Sequence, residues 1–322
     1  MLRREFLSCV GVAMAAAWAG AARAQANWPE RPVRLILPYA PGGATDLIAR
    51  PWAEKLSQAF GQQFVIENRG GAAGMIGTEA AAKATPDGYN FLLTPSAPLT
   101  ALPQLRKTPY DPAKSFTPVG RVGDLVSGYV IHPSAGVRTF PEMIAYAKKN
   151  PGKLAYGSAG LGSSSHMRIE TLRTKAEVDI LHVPYRGTGD ALNDLLAGNI
   201  HMMNEVAPIA HVRAGKLILL AITHSARHPD FPDVPTLREL GYEDADVPSW
   251  YSIQAPAGTP KQIIAKMNAK MLEIGADPEF KARMLKLNVL LPLQTPEQMA
   301  RHLEEDTKAI GAVIKAANIK LE

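Results

Sequence analysis

The sequence predicts an α/β fold divided into two lobes, with strands crossing from one to the other. Three observations predict it. Short apolar strands alternate with helical patterns in two separate series, as in a mainly parallel sheet. Two apolar, mostly extended stretches, Val119 to Ile131 and Val247 to Ala255, flank the second series, where the chain would enter a lobe and return. Each series also holds one glycine-rich strand-to-helix junction: Pro38-Tyr39-Ala40-Pro41-Gly42-Gly43-Ala44-Thr45-Asp46 and Tyr156-Gly157-Ser158-Ala159-Gly160-Leu161-Gly162-Ser163-Ser164-Ser165-His166. A chain of 322 residues suffices for two domains, at about 150 residues each. The expected division is lobe 1 at 25–124 and 250–322, and lobe 2 at 125–249.

Val33 to Leu37 is an apolar run and reads as a strand. Leu47, Ile48, Trp52, Leu56 and Phe60 recur at helical spacing and stop at Gly61. Phe64 to Glu67 is a strand, Met75 to Ala84 a helix stopped by Pro86-Asp87-Gly88, and Phe91 to Thr94 a third strand. A proline-rich connector runs from Pro95 to Pro118. The second series has a helix at Phe140 to Lys149, strands at Leu154 to Tyr156 and Ile180 to Val183, and a helix through Arg168, Ile169 and Leu172. Ala191, Leu192, Leu195 and Leu196 mark another helix, closed by Gly198. Ile200 to Met203 is a strand, Ile209 to Ala214 a short helix and Leu217 to Thr223 a strand. Ile263, Met267, Met271 and Ile274 form one helical stripe, and Glu297 to Ala317 a charged amphipathic helix.

Residues 1–24 read as a cleaved export signal. Arg3 and Arg4 precede the apolar run Phe6 to Ala22, and Ala22-Arg23-Ala24 fits a small-x-small cleavage site. Arg3-Arg4-Glu5-Phe6-Leu7 also suits a twin-arginine route, beside the general secretory one. The only cysteine, Cys9, lies inside this segment, so the mature chain is expected without thiols or disulfides. The formal charge of +5 is dispersed, with no basic run or interleaved aromatics of the kind that bind nucleic acid.

Glycines and small hydroxyl residues at a strand-to-helix junction let backbone N–H groups face a ligand, and the helix start adds partial positive charge. Two such junctions suggest lobes closing on a small carboxylate. In the first, Gly42 and Gly43 permit close approach, while Thr45 and Asp46 stand where capping residues stand; a plain capped turn is the alternative. In the second, Ser158, Ser163, Ser164 and Ser165 add hydroxyls beside Gly160 and Gly162; a serine-rich capping turn is the alternative. Gly160-Leu161-Gly162 lacks the third glycine of a dinucleotide loop, where Ser165 stands. Tyr156-Gly157-Ser158-Ala159-Gly160 lacks the first glycine of a nucleophile elbow, so His166 reads as a loop-fixing residue rather than a base. His224 and His228 have no evident third ligand, and no metal or cofactor is expected. Tyr185, Asn204 and Glu205 end strands, and Trp250-Tyr251 lies in the return crossing; packing and ligand contact are both open for the aromatics. Glu205 would oppose a carboxylate, so it takes a water or an amino group or lies off the site.

At these residues the chain resembles the Bug (Bordetella uptake gene) receptors, the TctC-type solute-binding components of tripartite tricarboxylate transporters. Further markers are Glu67-Asn68-Arg69-Gly70-Gly71, Pro86-Asp87-Gly88-Tyr89, His182-Val183-Pro184-Tyr185-Arg186-Gly187, Asp194-Leu195-Leu196-Ala197-Gly198 and Ala255-Pro256-Ala257-Gly258-Thr259-Pro260. The resemblance implies a type II-like periplasmic binding fold, hinge closure, and a carboxylate gripped by both glycine loops, partly through ordered waters. It maps ligand contacts onto Tyr39, Gly42, Gly43, Ala44, Thr45 and Asp46, and onto Ser158, Gly160, Gly162, Ser163, Ser164 and His166. It adds Ser96, Tyr185 and Asn204 as pocket positions. Stacking of an aromatic ring on Trp250-Tyr251 would suit an aromatic dicarboxylate such as terephthalate, with Trp250 among the expected contacts. It also implies a periplasmic monomer whose partners are TctA/TctB-like membrane subunits or, in a sensing role, a kinase. A secreted Ser/His hydrolase is the enzyme alternative. Met202-Met203-Asn204-Glu205 departs from the family's usual Asp-Asn, and the segment between the second loop and His182 is short, which puts the distal pocket in question.

Overall fold

The computed structural model describes residues 28–316 apart from 225–226, 229, 243–244 and 246–248. The expected export signal therefore lies outside the described residues, as do Val247 and Pro248 of the return crossing and Ala317 of the last helix.

The first series runs β1 (Val33–Leu37), α1 (Ala44–Phe60), β2 (Phe64–Asn68), α2 (Met75–Ala82) and β3 (Asn90–Pro95). The connector holds two single-turn helices, α3 (Leu102–Leu105) and α4 (Pro112–Ser115), each with proline near its start, where a missing N–H costs nothing. The chain then crosses through β4 (Phe116–Leu125) and β5 (Ser127–Ile131), separated by Val126 alone. The second series comprises α5 (Phe140–Lys149), β6 (Ala155–Ser158), α6 (Ser164–Ala176), β7 (Leu181–Pro184), α7 (Thr188–Ala197), β8 (Met202–Glu205), α8 (Ile209–Arg213) and β9 (Ile218–Thr223). The chain returns in β10 (Trp250–Pro256) and ends with α9 (Lys261–Ala276), α10 (Pro278–Lys286), β11 (Val289–Leu290) and α11 (Pro296–Ala316). The sequence reading did not foresee α3, α4, α10 or β11.

Two sheets result, ordered β11-β4-β10-β3-β1-β2 and β7-β6-β8-β5-β9. Strands joined by a helical crossover, β1 with β2 and β3, and β6 with β7 and β8, pair in parallel. Those that arrive from the other lobe do not: β10 runs antiparallel to β3 and β4, and β5 antiparallel to β8 and β9. Both sheets are thus mixed, because a crossing strand enters without a crossover helix to turn it round. Leu125 N–H bonds Ser249 O at 3.0 Å and Val126 N–H bonds Asn288 O at 2.9 Å, so the outgoing, returning and C-terminal segments meet at one junction.

Alternation along the strands sorts side chains onto two faces. In β5, Val130 joins a core that continues through Val126, Leu125 and Val122 into the first sheet, while Tyr129 and Ile131 fill a second core. In β10, Tyr251 and Ile253 face the first core and Trp250 packs into a third with Met299 and Leu92.

Candidate functional site

The loop after β1 reaches its helix through a bare cap. Gly43 occupies the N-cap position and offers no side-chain cap, so Thr45 and Asp46 are not the caps the sequence suggested but lie inside the first turn. Asp46 reaches back instead. Its carboxylate accepts from Gly42 N–H at 3.2 Å, Arg50 Nε at 2.7 Å and Asn68 Nδ2 at 3.3 Å. The loop is thus locked by an acid held by its neighbours, and the first helical N–H groups keep no carbonyl a turn earlier to bond.

The loop after β6 is built differently. Ser163 is the N-cap and accepts from His166 N–H at 3.4 Å. Ser158 Oγ accepts from Gly160 N–H at 3.1 Å, Ser165 Oγ from Ala159 N–H at 3.3 Å and His166 Nδ1 from Gly162 N–H at 3.2 Å. Gly42, Gly160 and Gly162 all have left-handed φ, at +81°, +110° and +82°. His166 and His182 lie 4.6 Å apart by ring centres. Burial lowers the pKa of His166, and burial joined by His166 pushes His182 down to about 4.

A third helix start meets the first two. At the head of α7, Thr188 Oγ1 accepts the N–H of Ala44 at 3.0 Å, bonding the two lobes directly. The approach requires glycine at 43, since a Cβ there would stand 2.5 Å from Thr188 Oγ1. Between the loops lies a narrow pocket lined by Ala44 and Thr45 of α1, Ser163 and Ser164 at the cap and start of α6, and Thr188 of α7. Tyr39, Pro95, Ala159, Ser249 and Tyr251 form its walls, and Glu205, at the end of β8, also reaches it. The pocket's cavity volume is only about 20 Å³, room for one or two waters. Each helix start carries about half a positive charge, so three of them make an anion site.

Glu205 is the one acidic side chain in that lining. Burial raises its pKa, while the nearby Arg168 guanidinium and hydrogen bonds from Ser165 and the Val206 N–H pull it back. Burial above all, with Glu205 among the neighbours, also raises Tyr39 and Tyr251, so both phenols stay protonated donors.

Residues 48–319 match the model of the tripartite tricarboxylate transporter family receptor, TctC. The chain belongs to the TctC family. Three solved structures are similar along nearly their whole length. The periplasmic binding protein BugD is 34% identical with a TM-score of 0.87, covering 92% of this chain and 100% of its own. An R. palustris protein with adipate is 33% identical with a TM-score of 0.87, covering 91% and 99%. MatC from Rhodopseudomonas palustris, with bound malate, is 31% identical with a TM-score of 0.85, covering 89% and 100%. These TctC-like neighbours share the two-lobed α/β architecture, and two of them hold a carboxylate, adipate in one and malate in the other.

Within this TctC chain, five expected contacts line the pocket: Tyr39, Ala44, Thr45, Ser163 and Ser164. Gly42, Gly43, Asp46, Ser158, Gly160, Gly162 and His166 shape the loops behind it. Ser158 Oγ lies 2.6 Å from His182 Nε2, a pair with the elements of nucleophilic chemistry, but Ser158 is fully buried and out of a substrate's reach. Ser96 is buried beside the pocket wall at Pro95, its N–H on Trp250 O at 3.0 Å. Tyr185 turns its hydroxyl to Asp194 at 2.6 Å. Asn204 lies buried between Arg168 and Thr223, at 3.1 and 2.8 Å. Trp250 corrects the sequence reading most sharply: its indole N–H bonds Asp306 at 3.0 Å and its ring packs on His302, away from the pocket. The period of the strand gives the pocket to Tyr251 instead. His228 is engaged by Asn288 at 2.7 Å, and among the described residues no three His, Cys, Asp or Glu side chains gather as a metal site. Sequence reasoning did not propose Thr188, although Gly187-Thr188 follows a strand and opens a helix as the two named loops do.

Proposed function

We propose that this chain is a periplasmic receptor that captures a small organic carboxylate between its lobes and delivers it to the membrane subunits of a tripartite transporter. The carrying observation is the convergence of three helix N-termini, α1, α6 and α7, on one pocket between the lobes. In this reading residues 1–24 are the cleaved signal, 25–124 with 250–322 form lobe 1, and 125–249 form lobe 2. Closure is driven by ligand because the pocket's donors come from both lobes and meet only when the lobes meet. The carboxylate takes N–H and hydroxyl donors from Thr45, Ser163, Ser164 and Thr188, and the lobes part to admit it, since the closed pocket has room for only one or two waters. No bond is made or broken, and the receptor works as a monomer. Adipate and malate in two relatives support the carboxylate class. Of the two aromatics expected to stack on an aromatic dicarboxylate, Trp250 packs away from the pocket and Tyr251 lines it.

The test is a thermal-shift and calorimetric screen of the mature protein against mono-, di- and tricarboxylates, with sugars as controls. A ligand at a hundred times its Kd adds about 2.7 kcal/mol to stability. A shift confined to carboxylates is the expected result; a response to neutral solutes alone overturns the reading.

A further inference from the structure

An acid in an anion pocket needs a reason. Glu205 is 7% exposed, and it reaches the same pocket as the three helix starts. It stands at the C-terminal end of a strand, where open α/β sheets present ligand groups. Its carboxylate is held in place. Ser165 donates to it, and that hydroxyl accepts Ala159 N–H and lies 3.2 Å from Ser163 Oγ, so Glu205 is joined to the helix start that faces the ligand. Arg168, 2% exposed, lies close enough to offset its charge and is itself held by Asn204 at 3.1 Å. Glu205 is thus an acceptor held in place, its charge offset in part by Arg168. A carboxylate has about four lone-pair sites, and with Ser165, the Val206 N–H and Arg168 beside it Glu205 still lines the pocket.

We propose that Glu205 is the specificity residue of this receptor, selecting carboxylates that carry a hydrogen-bond donor, a hydroxyl or an ammonium, beside the carboxylate that the helix starts hold. The inference rests on the function proposed above and narrows its ligand class to 2-hydroxy and 2-amino acids. A donor meets the Glu205 oxygen. A methylene gives the ligand-facing side of that carboxylate no donor, and a keto oxygen or second carboxylate at that place meets it acceptor to acceptor. Buried polar groups left unpaired in this way are the strongest source of discrimination between near-isosteric ligands.

The experiment is calorimetric titration of the wild-type protein with two matched series. One is lactate, alanine, propionate and pyruvate; the other is malate, aspartate, succinate and oxaloacetate. In at least one series the donor-bearing acids should bind about tenfold or more tighter than the donorless and keto acids. Glu205→Gln, which replaces one oxygen by an amide N–H, should reduce that ratio to about threefold or less, the keto acid gaining most. Glu205→Asp, which keeps the charge and withdraws it, should weaken the donor-bearing acids selectively and serves if the amide variant does not fold. Equal binding of donor-bearing and donorless acids by the wild type overturns the inference and leaves the carboxylate receptor standing. So does an equal loss for all ligands in both variants, which marks a structural role only. Failure of every carboxylate to bind overturns the function and the inference together.

Discussion

The two glycine loops read alike in sequence and are fastened in opposite ways. The loop after β1 is held from outside, by Asp46 with Arg50 and Asn68. Its helix begins at a glycine without a side-chain cap, and the Ala44 N–H is free to bond the other lobe. The loop after β6 is held from within: Ser158, Ser163, Ser165 and His166 bond the backbone of their own turn, and His182 buttresses them. One loop therefore offers backbone to its surroundings, and the other consumes much of its backbone and offers hydroxyls. Similar composition hid this difference, because it depends on which residue stands at the cap.

The largest expected break in the comparison comes from Gly43→Ala. Its Cβ would press on Thr188 Oγ1 across the lobes, and overpacking of this kind costs about 1–3 kcal/mol. Ligand affinity should fall roughly fivefold to more than a hundredfold while the melting temperature of the unliganded protein barely moves; an unchanged Kd by calorimetry would show that the lobes do not meet at this point during binding.

Acid should loosen the second loop through its histidine pair. Burial and His166 hold His182 down to about 4, so the folded protein leaves it neutral where the unfolded chain, near 6.5, takes a proton. Stability is then complete above about pH 6.5 and lost as pH falls towards about 4. Allowing for partial exposure, the loss is up to about 2 kcal/mol. Urea titrations at pH 7 and pH 4 should show it in the wild type and much less of it in His182→Gln; parallel curves would remove His182 from the account.

The two fastenings themselves should be worth similar amounts. Ser163→Ala removes an N-cap, at about 1 kcal/mol, and Asp46→Asn exchanges a charged acceptor for a neutral one, at about 1–2 kcal/mol. Chemical denaturation checks both, and a null effect at either position would mean that its loop is held by packing. Smallest of all should be the effect of Trp250→Phe on ligand affinity, within about twofold, despite a stability loss of about 1 kcal/mol for the Asp306 hydrogen bond; a large change in Kd would return Trp250 to the pocket.

Much of the fold was legible. Periodicity marked β1, α1 and β3, and glycine or proline marked their ends, because those signals are local. The short helices α3 and α4 were not separable from a proline-rich connector, since a single turn leaves no period to read. Antiparallel entry of β5 and β10 was also hidden, as strand direction follows from connections rather than composition. Of the pocket's lining, Thr45, Ser163 and Ser164 were legible because helix starts have a recognisable chemistry, while Tyr39 and Ala44 came from the family resemblance. Tyr251 and Trp250 could not be told apart: a strand shows that neighbours face opposite ways, not which way the pocket lies.

The place of β10 has a kinetic consequence. It is an interior strand of the first sheet, between β4 and β3, yet it is made after every strand of the second sheet. As the chain emerges from its N-terminus, β1, β2 and β3 must wait with one edge unpaired while the second sheet receives all its strands. The second sheet can close first; the first is joined from behind, by a late strand that must find an occupied neighbourhood. Such long-range pairing is slow, and it ties the joining of β3 to β4 to the arrival of Trp250 to Pro256, the strand that also brings Tyr251 to the pocket.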